Sequence, residues 1–240
     1  MTEALYPLDS YLKEFSAIVM AVDAEKRTVT LDRSAFYPGG GGQPHDEGEL
    51  QSGAQVYRVS KVERGQVHVI AGDILPSVGD SVIGRLDWTR RYQLMRTHTA
   101  MHILCGVVWR DYGASVTGGN MEPLEGRMDF EFERLQKELV NEIEEKINAE
   151  VRAERDIRVQ LLPRAEAFQI PDLIRTKINL VPEGIPEIRT VEIVGLDLQA
   201  DGGTHVANTR EVGIIRVTDY KSKGGINKRI YVKIEDASTR

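Results

Sequence analysis

The stretch Arg96-Thr97-His98-Thr99-Ala100-Met101-His102 carries two histidines four residues apart. It lies inside a run from Tyr92 to Trp109 whose apolar residues recur at helical spacing, which predicts one partly buried helix. Residues four apart share a helix face, with β-carbons about 5–6 Å apart, so both imidazoles point the same way. Such a pair can bind one metal ion if other parts of the chain supply further ligands. The alternative is that both histidines serve only packing and surface.

A second motif of comparable chemistry, Asp201-Gly202-Gly203-Thr204-His205, follows much later in the chain. Three of the five histidines fall in these two motifs, while His45 lies in a Gly/Pro loop and His68 in a strand-like run. A glycine-rich loop with one carboxylate and one imidazole is weak evidence by itself. Together the two motifs favour a shared metal site, and a purely structural role for these histidines stays open.

The composition is that of an ordinary soluble globular protein, with 41% hydrophobic and 28% charged residues. No apolar run reaches the roughly 18 residues that a membrane-spanning helix needs, and Met1–Ser10 lacks a secretory signal, so no membrane partner is expected. A single cysteine, Cys105, excludes an internal disulfide and is typical of the reducing cytoplasm. We interpret Cys105 as a small buried hydrophobe.

The net charge of −6 argues against a nonspecific nucleic-acid coat, for which a basic domain is expected. Local basic patches remain compatible with it, and the acidic excess is concentrated in residues 131–154. Each basic cluster is interpreted either as a solvated face or as a surface that contacts RNA phosphates. The two clusters consist of Arg90, Arg91 and Arg96, and of Lys221, Lys223, Lys228 and Arg229.

Short strands and turns fill the first part of the chain, and no helical period longer than two turns precedes Trp88. About six closely spaced short strands predict a small β-barrel-like domain over residues 1–89. The pattern changes from strands to helix between Trp88 and Arg91, which places the domain boundary there. The predicted strands include Phe15–Val22, Thr28–Leu31, Val56–Val62, Val67–Ile70 and Ser81–Leu86.

One loop in this part, Tyr37–Pro44, contains four consecutive glycines. Glycine permits positive φ and a close approach of the backbone to a ligand, so the loop could present amide groups to a phosphate or a terminal adenosine. It is not a P-loop, because no Gly-Lys-Ser/Thr follows. The alternative is a flexible surface hairpin.

Residues 90–240 alternate between helices and mostly antiparallel strands, which predicts an α+β fold with an α/β two-layer sandwich. A long charged helix is predicted for Phe132–Ala153, with an apolar stripe at intervals of four. A short helix is expected from Pro163 to Phe168. The predicted strands are Ser115–Gly119, Arg127–Phe132, Ile157–Leu161, Ile188–Val194, Val212–Tyr220 and Lys228–Ile234.

The residues His98-Thr99-Ala100-Met101-His102 and Asp201-Gly202-Gly203-Thr204-His205, with the glycine-rich loop Tyr37–Pro44, resemble the editing domain of alanyl-tRNA synthetase. No aminoacylation domain is present, so the chain looks like a free-standing alanyl-tRNA editing protein of the AlaX family, in its medium-length form. The resemblance covers about Phe15 to Ile234. It implies a β-barrel-like domain followed by an editing domain that contains zinc.

This resemblance implies a cytoplasmic hydrolase that deacylates mischarged tRNA(Ala), chiefly seryl-tRNA(Ala), with glycyl-tRNA(Ala) as a further candidate. One zinc per chain would be held by His98, His102 and His205. The family's second motif is usually Cys-x-x-x-His, and Asp201 occupies the cysteine position. A carboxylate can bind zinc at about 2.0–2.2 Å, so Asp201 is expected either as the fourth ligand or as a partner of one imidazole.

The substrate is expected to contact the glycine-rich loop, a hydroxyl-bearing side chain near the metal, and the second basic cluster. Two other functions stay open. A zinc peptidase would need His-Glu-x-x-His, and Thr99 occupies the glutamate position. A non-catalytic RNA-binding module with a structural zinc site would use four protein ligands. The oligomeric state is not predicted. The candidate substrate-binding residues are Gly40, Gly41, Gln43, Thr99, Thr117 and Lys223.

Overall fold

The structure is a computed structural model that describes residues 2–176, 181 and 183–237. Its Cα positions divide into two compact units, Met1–Gln93 and Leu94–Arg240. The first unit is a β-barrel, and the second combines helices with two antiparallel sheets, so the predicted α+β class is confirmed. Among the described residues, no helix has both the length and the apolar character needed to cross a membrane.

The first unit contains a closed six-stranded antiparallel barrel and a short parallel pair. Around the barrel the strands follow the order β2, β3, β7, β6, β5, β8, and β1 pairs with β4 outside it. The predicted barrel is therefore confirmed, although β5 and the two short strands were not predicted. In chain order the strands are β1 Glu3–Ala4, β2 Glu14–Asp23, β3 Thr28–Leu31, β4 Arg33–Ser34, β5 Gly48–Ser52, β6 Gln55–Glu63, β7 Val67–Ala71 and β8 Ser81–Leu86.

The barrel closes because the long strand β2 pairs with two neighbours. Its first half pairs with β8 and its second half with β3, with a bulge between Val19 and Ala21. Bulges bend a strand and increase its twist, which closure requires. On β8, a Cβ at Gly84 would lie 2.4 Å from the Phe15 ring, so glycine leaves the space that this ring fills. Inward-facing apolar residues from all six strands form the core.

Helix α1, Trp88–Tyr112, is longer than the predicted Tyr92–Trp109 at both ends. The Asp87 carboxylate accepts from the Arg90 amide at its start, as an N-cap does, and Gly113 with φ +63° follows its end. The expectation of a partly buried helix is wrong for its central part. Every residue from Leu94 to Val108 is buried, so polar side chains there need partners inside the protein.

The second unit contains two antiparallel sheets, ordered β14-β15-β10-β9 and β11-β12-β13. Helix α2 contacts β14 and buries the stripe Val140, Ile143, Ile147 and Val151. After α1 the elements are β9 Val116–Glu122, β10 Glu125–Glu131, α2 Lys137–Arg152, β11 Ile157–Pro163, α3 Arg164–Ala167, β12 Glu187–Ile193, β13 Asp197–Ala200, a 3-10 helix Thr209–Val212, β14 Ile214–Gly224 and β15 Asn227–Glu235.

Helix α2 and strand β13 show the largest differences from the sequence prediction in this unit. Helix α2 begins at Lys137 rather than Phe132, because the Phe132 amide donates to the Ile226 carbonyl and its ring is buried. Strand β13 was not predicted at all. It pairs with β12 immediately before the second histidine motif, so it determines where Asp201 and His205 lie.

Candidate metal centre

The two sequence motifs meet in the second unit. Helix α1 supplies His98 and His102 from one face, and the segment after β13 supplies Asp201 and His205. One potential ligand atom from each of the four lies within 4.8 Å of all the others. The three imidazoles are buried and the carboxylate is nearly so, which keeps bulk water away from the donors.

The donors converge closely enough for a single ion. The Asp201 Oδ1 atom lies 3.5 Å from His98 Nε2, and its Oδ2 atom lies 3.0 Å from His205 Nε2. The His98 and His205 rings stack with centroids 4.2 Å apart, and the His102 ring meets both edge-on. Tetrahedral sites with bonds of about 2.0 Å separate their donors by roughly 3.3 Å. The residues present therefore fit a divalent metal ion.

The protonation states of three of these groups, His98, His205 and Asp201, suit a cation. Burial lowers the pKa of His98 well below its usual value and lowers the pKa of His205 to about 4. Burial opposes ionisation of Asp201, but the neighbouring His98 and His205 lower its pKa well below the usual range. Neutral imidazoles and an ionised carboxylate are the forms that bind metals. At His102, burial also lowers the pKa, but the Asp197 and Asp201 carboxylates together outweigh burial, so the pKa is raised.

Backbone and side-chain groups hold the second motif in place. The Asp201 Oδ2 atom accepts from the Gly203 amide at 2.7 Å, and the Asp201 carbonyl accepts from Arg189 at 2.9 Å. Thr99 Oγ1 lies 3.2 Å from His205 Nδ1 and accepts from the Val206 amide at 3.3 Å. The Thr99 hydroxyl thus links α1 to the histidine loop. Its predicted contact with a substrate stays a prediction.

One residue beside the cluster was missed by the sequence reasoning. Asp197, the first residue of β13, places its Oδ2 atom 3.4 Å from His102 Nδ1, and its side chain is fully buried. Asp197 belongs to neither histidine motif, so no signal in the sequence indicated it. It lies beside His102 because the turn between β12 and β13 places it there. Cys105 is buried as expected, and its Sγ atom lies 3.3 Å from Gln199 Nε2.

The other predicted residues of the second unit lie on its sheets. On β9, the Thr117 hydroxyl donates to Asn227 Oδ1 at 2.9 Å. Lys223 is exposed near the end of β14. In the same basic cluster, Lys228 is buried and donates to the Gly225 carbonyl, and Arg229 forms two short hydrogen bonds to Asp129. The interpretation of this cluster as one RNA-contacting surface is therefore wrong for Lys228.

The glycine-rich loop belongs to the first unit and forms a hydrogen-bonded hairpin. The amides and carbonyls of Gly40 and Gln43 bond to each other, and all four glycines have positive φ. Asp46 closes the loop by accepting from the Tyr37 amide at 2.6 Å, so the hairpin is held by side-chain as well as backbone hydrogen bonds. Gln43 is buried, and Gly41 has open space at its Cβ position. The contacts of Gly40, Gly41 and Gln43 with a substrate stay a prediction.

Two members of the first basic cluster, Arg91 and Arg96, are buried. Arg91 is fully buried and forms an ion pair with Asp46, and it also donates to the Ala35 carbonyl. In the second unit, Arg96 is buried and donates to the Val212 carbonyl at 3.0 Å. A patch interpretation is therefore wrong for both residues. They are desolvated arginines whose geometry suits internal carboxylate and carbonyl partners.

Family models match two segments of the chain. Residues 188–231 match the threonyl and alanyl tRNA synthetase second additional domain, a segment that contains Asp201 and His205. Residues 8–90 match the class II (A) tRNA synthetase family. The two matched segments thus lie on either side of the first histidine motif.

Curated relatives cover nearly the whole chain. The alanyl-tRNA editing protein AlaX-M of Saccharolobus solfataricus is 41% identical, over 98% of this chain and 100% of its own length. The AlaX-M protein of Methanosarcina mazei is 37% identical over 100% of this chain and 99% of its own. The alanine–tRNA ligase of Ignicoccus hospitalis is 41% identical over 90% of this chain, which matches 24% of the ligase. At this identity and coverage, the chain belongs to the AlaX-M family of alanyl-tRNA editing proteins.

Proposed function

We propose that the protein deacylates mischarged tRNA(Ala), chiefly seryl-tRNA(Ala), at a site that holds one zinc ion per chain. The observation that carries this proposal is the buried group of three imidazoles and one carboxylate in a chain that belongs to the AlaX-M family. Glycyl-tRNA(Ala) is the second candidate substrate. We expect the activity in the cytoplasm, where charged tRNA is used.

His98, His102 and His205 would hold the zinc, with Asp201 as fourth ligand or as partner of one imidazole. A bound zinc ion supplies Lewis-acid stabilisation of a developing oxyanion and lowers the pKa of bound water from 15.7 to about 7. If Asp201 acts only as a partner, one coordination position stays open for water or substrate, as catalytic zinc sites require. The two roles of Asp201 therefore correspond to a closed and an open site.

The protein's own residues would contribute position and desolvation. The Thr99 hydroxyl lies against His205 Nδ1, which leaves Nε2 of that ring for the cluster. Arg189 and Gly203 hold Asp201 through its carbonyl and its carboxylate. Groups fixed in this way need little reorganisation when a substrate ester enters. An aminoacyl ester is already activated, so positioning and charge stabilisation are the main requirements.

Selection of serine over alanine requires a group that bonds the substrate hydroxyl. A site with such a group leaves it unpaired when alanine binds, which can separate the two substrates by orders of magnitude. Thr99 and Thr117 are the proposed hydroxyl partners, and Gly40, Gly41 and Gln43 are proposed to contact the aminoacyl end. Because Thr117 already bonds Asn227, this pair would have to open or share its hydrogen bonds with the substrate.

The second candidate function is a non-catalytic RNA-binding module with a structural zinc. It is favoured by one observation, that four protein donors converge, since structural sites are closed by four protein ligands. Both functions require metal binding and tRNA binding. Only the first predicts turnover of the aminoacyl ester.

The deciding experiment measures release of the amino acid from seryl-tRNA(Ala) and alanyl-tRNA(Ala) by zinc-loaded protein. We expect deacylation of the seryl ester with the alanyl ester largely spared. His205→Ala should lose both turnover and zinc, and His98→Ala should sharply lower the metal content. Release of serine no faster than in buffer, with zinc present at one per chain, would favour the structural-zinc module instead.

A further inference from the structure

His102 faces a carboxylate that belongs to neither histidine motif. Asp197 Oδ2 lies 3.4 Å from His102 Nδ1, just outside the usual hydrogen-bond range. This nitrogen is buried and has no hydrogen-bond partner among the described residues. An unsatisfied buried polar atom costs about 1–3 kcal/mol, so a small rotation that closes the gap to Asp197 is favourable.

Two further groups hold Asp197 where it is. Arg175 Nε lies 3.3 Å from its Oδ1 atom, and Gln199 Nε2 donates to its Oδ2 atom at 2.6 Å. The Arg175 guanidinium is itself fixed over the Trp109 ring, 4.9 Å from the centroid. A buried carboxylate needs a cation and hydrogen-bond donors, and this one has both. Asp197 is therefore a fixed acceptor rather than a mobile surface group.

Helix α1 leaves space for this carboxylate one turn after His102. A Cβ at Gly106 would lie 2.9 Å from the Asp197 Cβ and 3.0 Å from the Leu196 Cγ. Glycine in a helix interior costs about 1 kcal/mol relative to alanine. At Gly106 this loss of helix propensity is offset by the close packing that the missing side chain allows. The missing side chain lets the turn between β12 and β13 approach the helix beside His102.

We propose that Asp197 is a positioning residue that accepts a hydrogen bond from His102 Nδ1–H and thereby presents His102 Nε2 to the metal. A metal-binding imidazole usually donates its other N–H to a carboxylate or carbonyl, which fixes the tautomer and the ring orientation. The inference rests on the metal site of the proposed function, but it does not depend on which tRNA is hydrolysed or on hydrolysis at all.

The first test measures zinc affinity by competition with a chromophoric chelator. Asp197→Asn removes the charge while keeping the volume, and we expect it to weaken zinc binding by about 10–100-fold. Asp172→Asn is the matched control, because Asp172 is exposed and also lies near Arg175, at 3.9 Å. It should bind zinc as the wild type does. Equal affinity in wild type and Asp197→Asn overturns the inference.

The second test does not depend on the folding of an Asp197 variant. Nitrogen-15 NMR of the zinc-free wild type, at a pH high enough to keep His102 neutral, reports which ring nitrogen carries the proton. The signals of His102 are assigned by their loss in His102→Gln. We expect protonated Nδ1 and unprotonated Nε2. A neutral His102 with its proton on Nε2, in a protein that still binds zinc, overturns the inference alone. A wild type that binds no zinc overturns the proposed metal site and the inference with it.

Discussion

His68 is the histidine that the metal motifs leave out, and its surroundings explain why. It is fully buried inside the barrel, with Nε2 2.8 Å from the Ser34 hydroxyl and Nδ1 3.2 Å from the Val29 carbonyl. The ring also packs edge-on against Phe36. One nitrogen faces a carbonyl that only accepts, so the neutral ring with its proton on Nδ1 satisfies both partners.

This burial predicts a defined acid sensitivity. Burial lowers the pKa of His68 to about 4, below the unfolded value of about 6.5. Above pH 6.5 the ring is neutral in the folded and unfolded states, so it does not make the free energy of unfolding depend on pH. As the pH drops to 4, the free energy of unfolding falls by up to about 3 kcal/mol because the unfolded state binds the proton more tightly. Urea unfolding of wild type and His68→Gln at pH 7 and pH 4 measures the difference. The same loss of stability in both proteins would contradict this origin.

Asp201 allows a sharper test of the donor set. If it is a ligand, Asp201→Cys should retain or tighten zinc binding, because thiolate is a good zinc ligand, and Asp201→Ala should weaken it. Competition with a chelator measures both affinities. Thermal unfolding of the zinc-free proteins is the control for folding. Equal affinity in all three proteins would show that Asp201 only shapes the loop.

At the level of residues, the sequence predicted those members of the site that share a local spacing. His98 and His102 share a helix face, and Asp201 and His205 share a short loop. Asp197 could not be found in this way, because its contact with His102 depends on how β13 packs against α1. The burial of Arg91 was also missed, since charge clustering in sequence does not report on desolvated ion pairs.

At the level of elements, Gly106 determines how closely α1 and the β12–β13 turn pack. Gly106→Ala gains about 1 kcal/mol of helix propensity, but the new methyl group meets the Asp197 Cβ and the Leu196 Cγ, and overpacking costs about 1–3 kcal/mol. We expect a net loss of about 1 kcal/mol in the free energy of unfolding, with weaker zinc binding.

The control for this prediction is Thr89→Ala on an exposed position of the same helix. That change should alter the free energy of unfolding by no more than about 0.5 kcal/mol. Chemical denaturation measures both variants. A Gly106→Ala protein more stable than wild type, with unchanged zinc affinity, would show that the turn can move away without consequence.

The errors at this level have local causes. The apolar stripe predicted α2 but not its start, because Phe132 still continues the hydrogen bonding of the adjacent hairpin. The ends of α1 could have been predicted from the N-cap residue Asp87 and from Gly113, which lie beyond the apolar pattern of the helix. Strand β13 has four residues and carries Asp197 and Gln199 at positions where a strand is expected to be apolar.

At the level of the whole molecule, the α+β class and the N-terminal barrel were predictable because many short strands precede the first helix. Membership of the AlaX-M family was predictable from motifs that are specific only in combination. Which basic residues are exposed was not predictable from charge clustering alone. Of the second basic cluster, Lys221 and Lys223 are exposed, and the Lys221 ammonium lies 4.7 Å from the Tyr231 ring centroid.

Within the second basic cluster, the exposed lysines Lys221 and Lys223 are therefore the candidates for contacts with tRNA phosphates. We expect Lys223→Glu to weaken binding of tRNA(Ala) and to flatten its salt dependence, since each phosphate contact contributes about 0.9 to the slope of log K against log salt for duplexes. Zinc content should not change, because Lys223 is not part of the histidine cluster. Fluorescence titration of uncharged tRNA(Ala) at several salt concentrations measures the slope.

The matched control is Lys137→Glu, an equal charge reversal at an exposed position that opens the acidic helix α2. That helix is expected to face away from the RNA, so this variant should shift affinity only slightly through the net charge and should keep the wild-type slope. Equal losses of affinity and slope in both variants would mean that net charge, rather than a contact at the end of β14, governs binding. If Lys223→Glu lost zinc, we would conclude instead that Lys223 stabilises the fold.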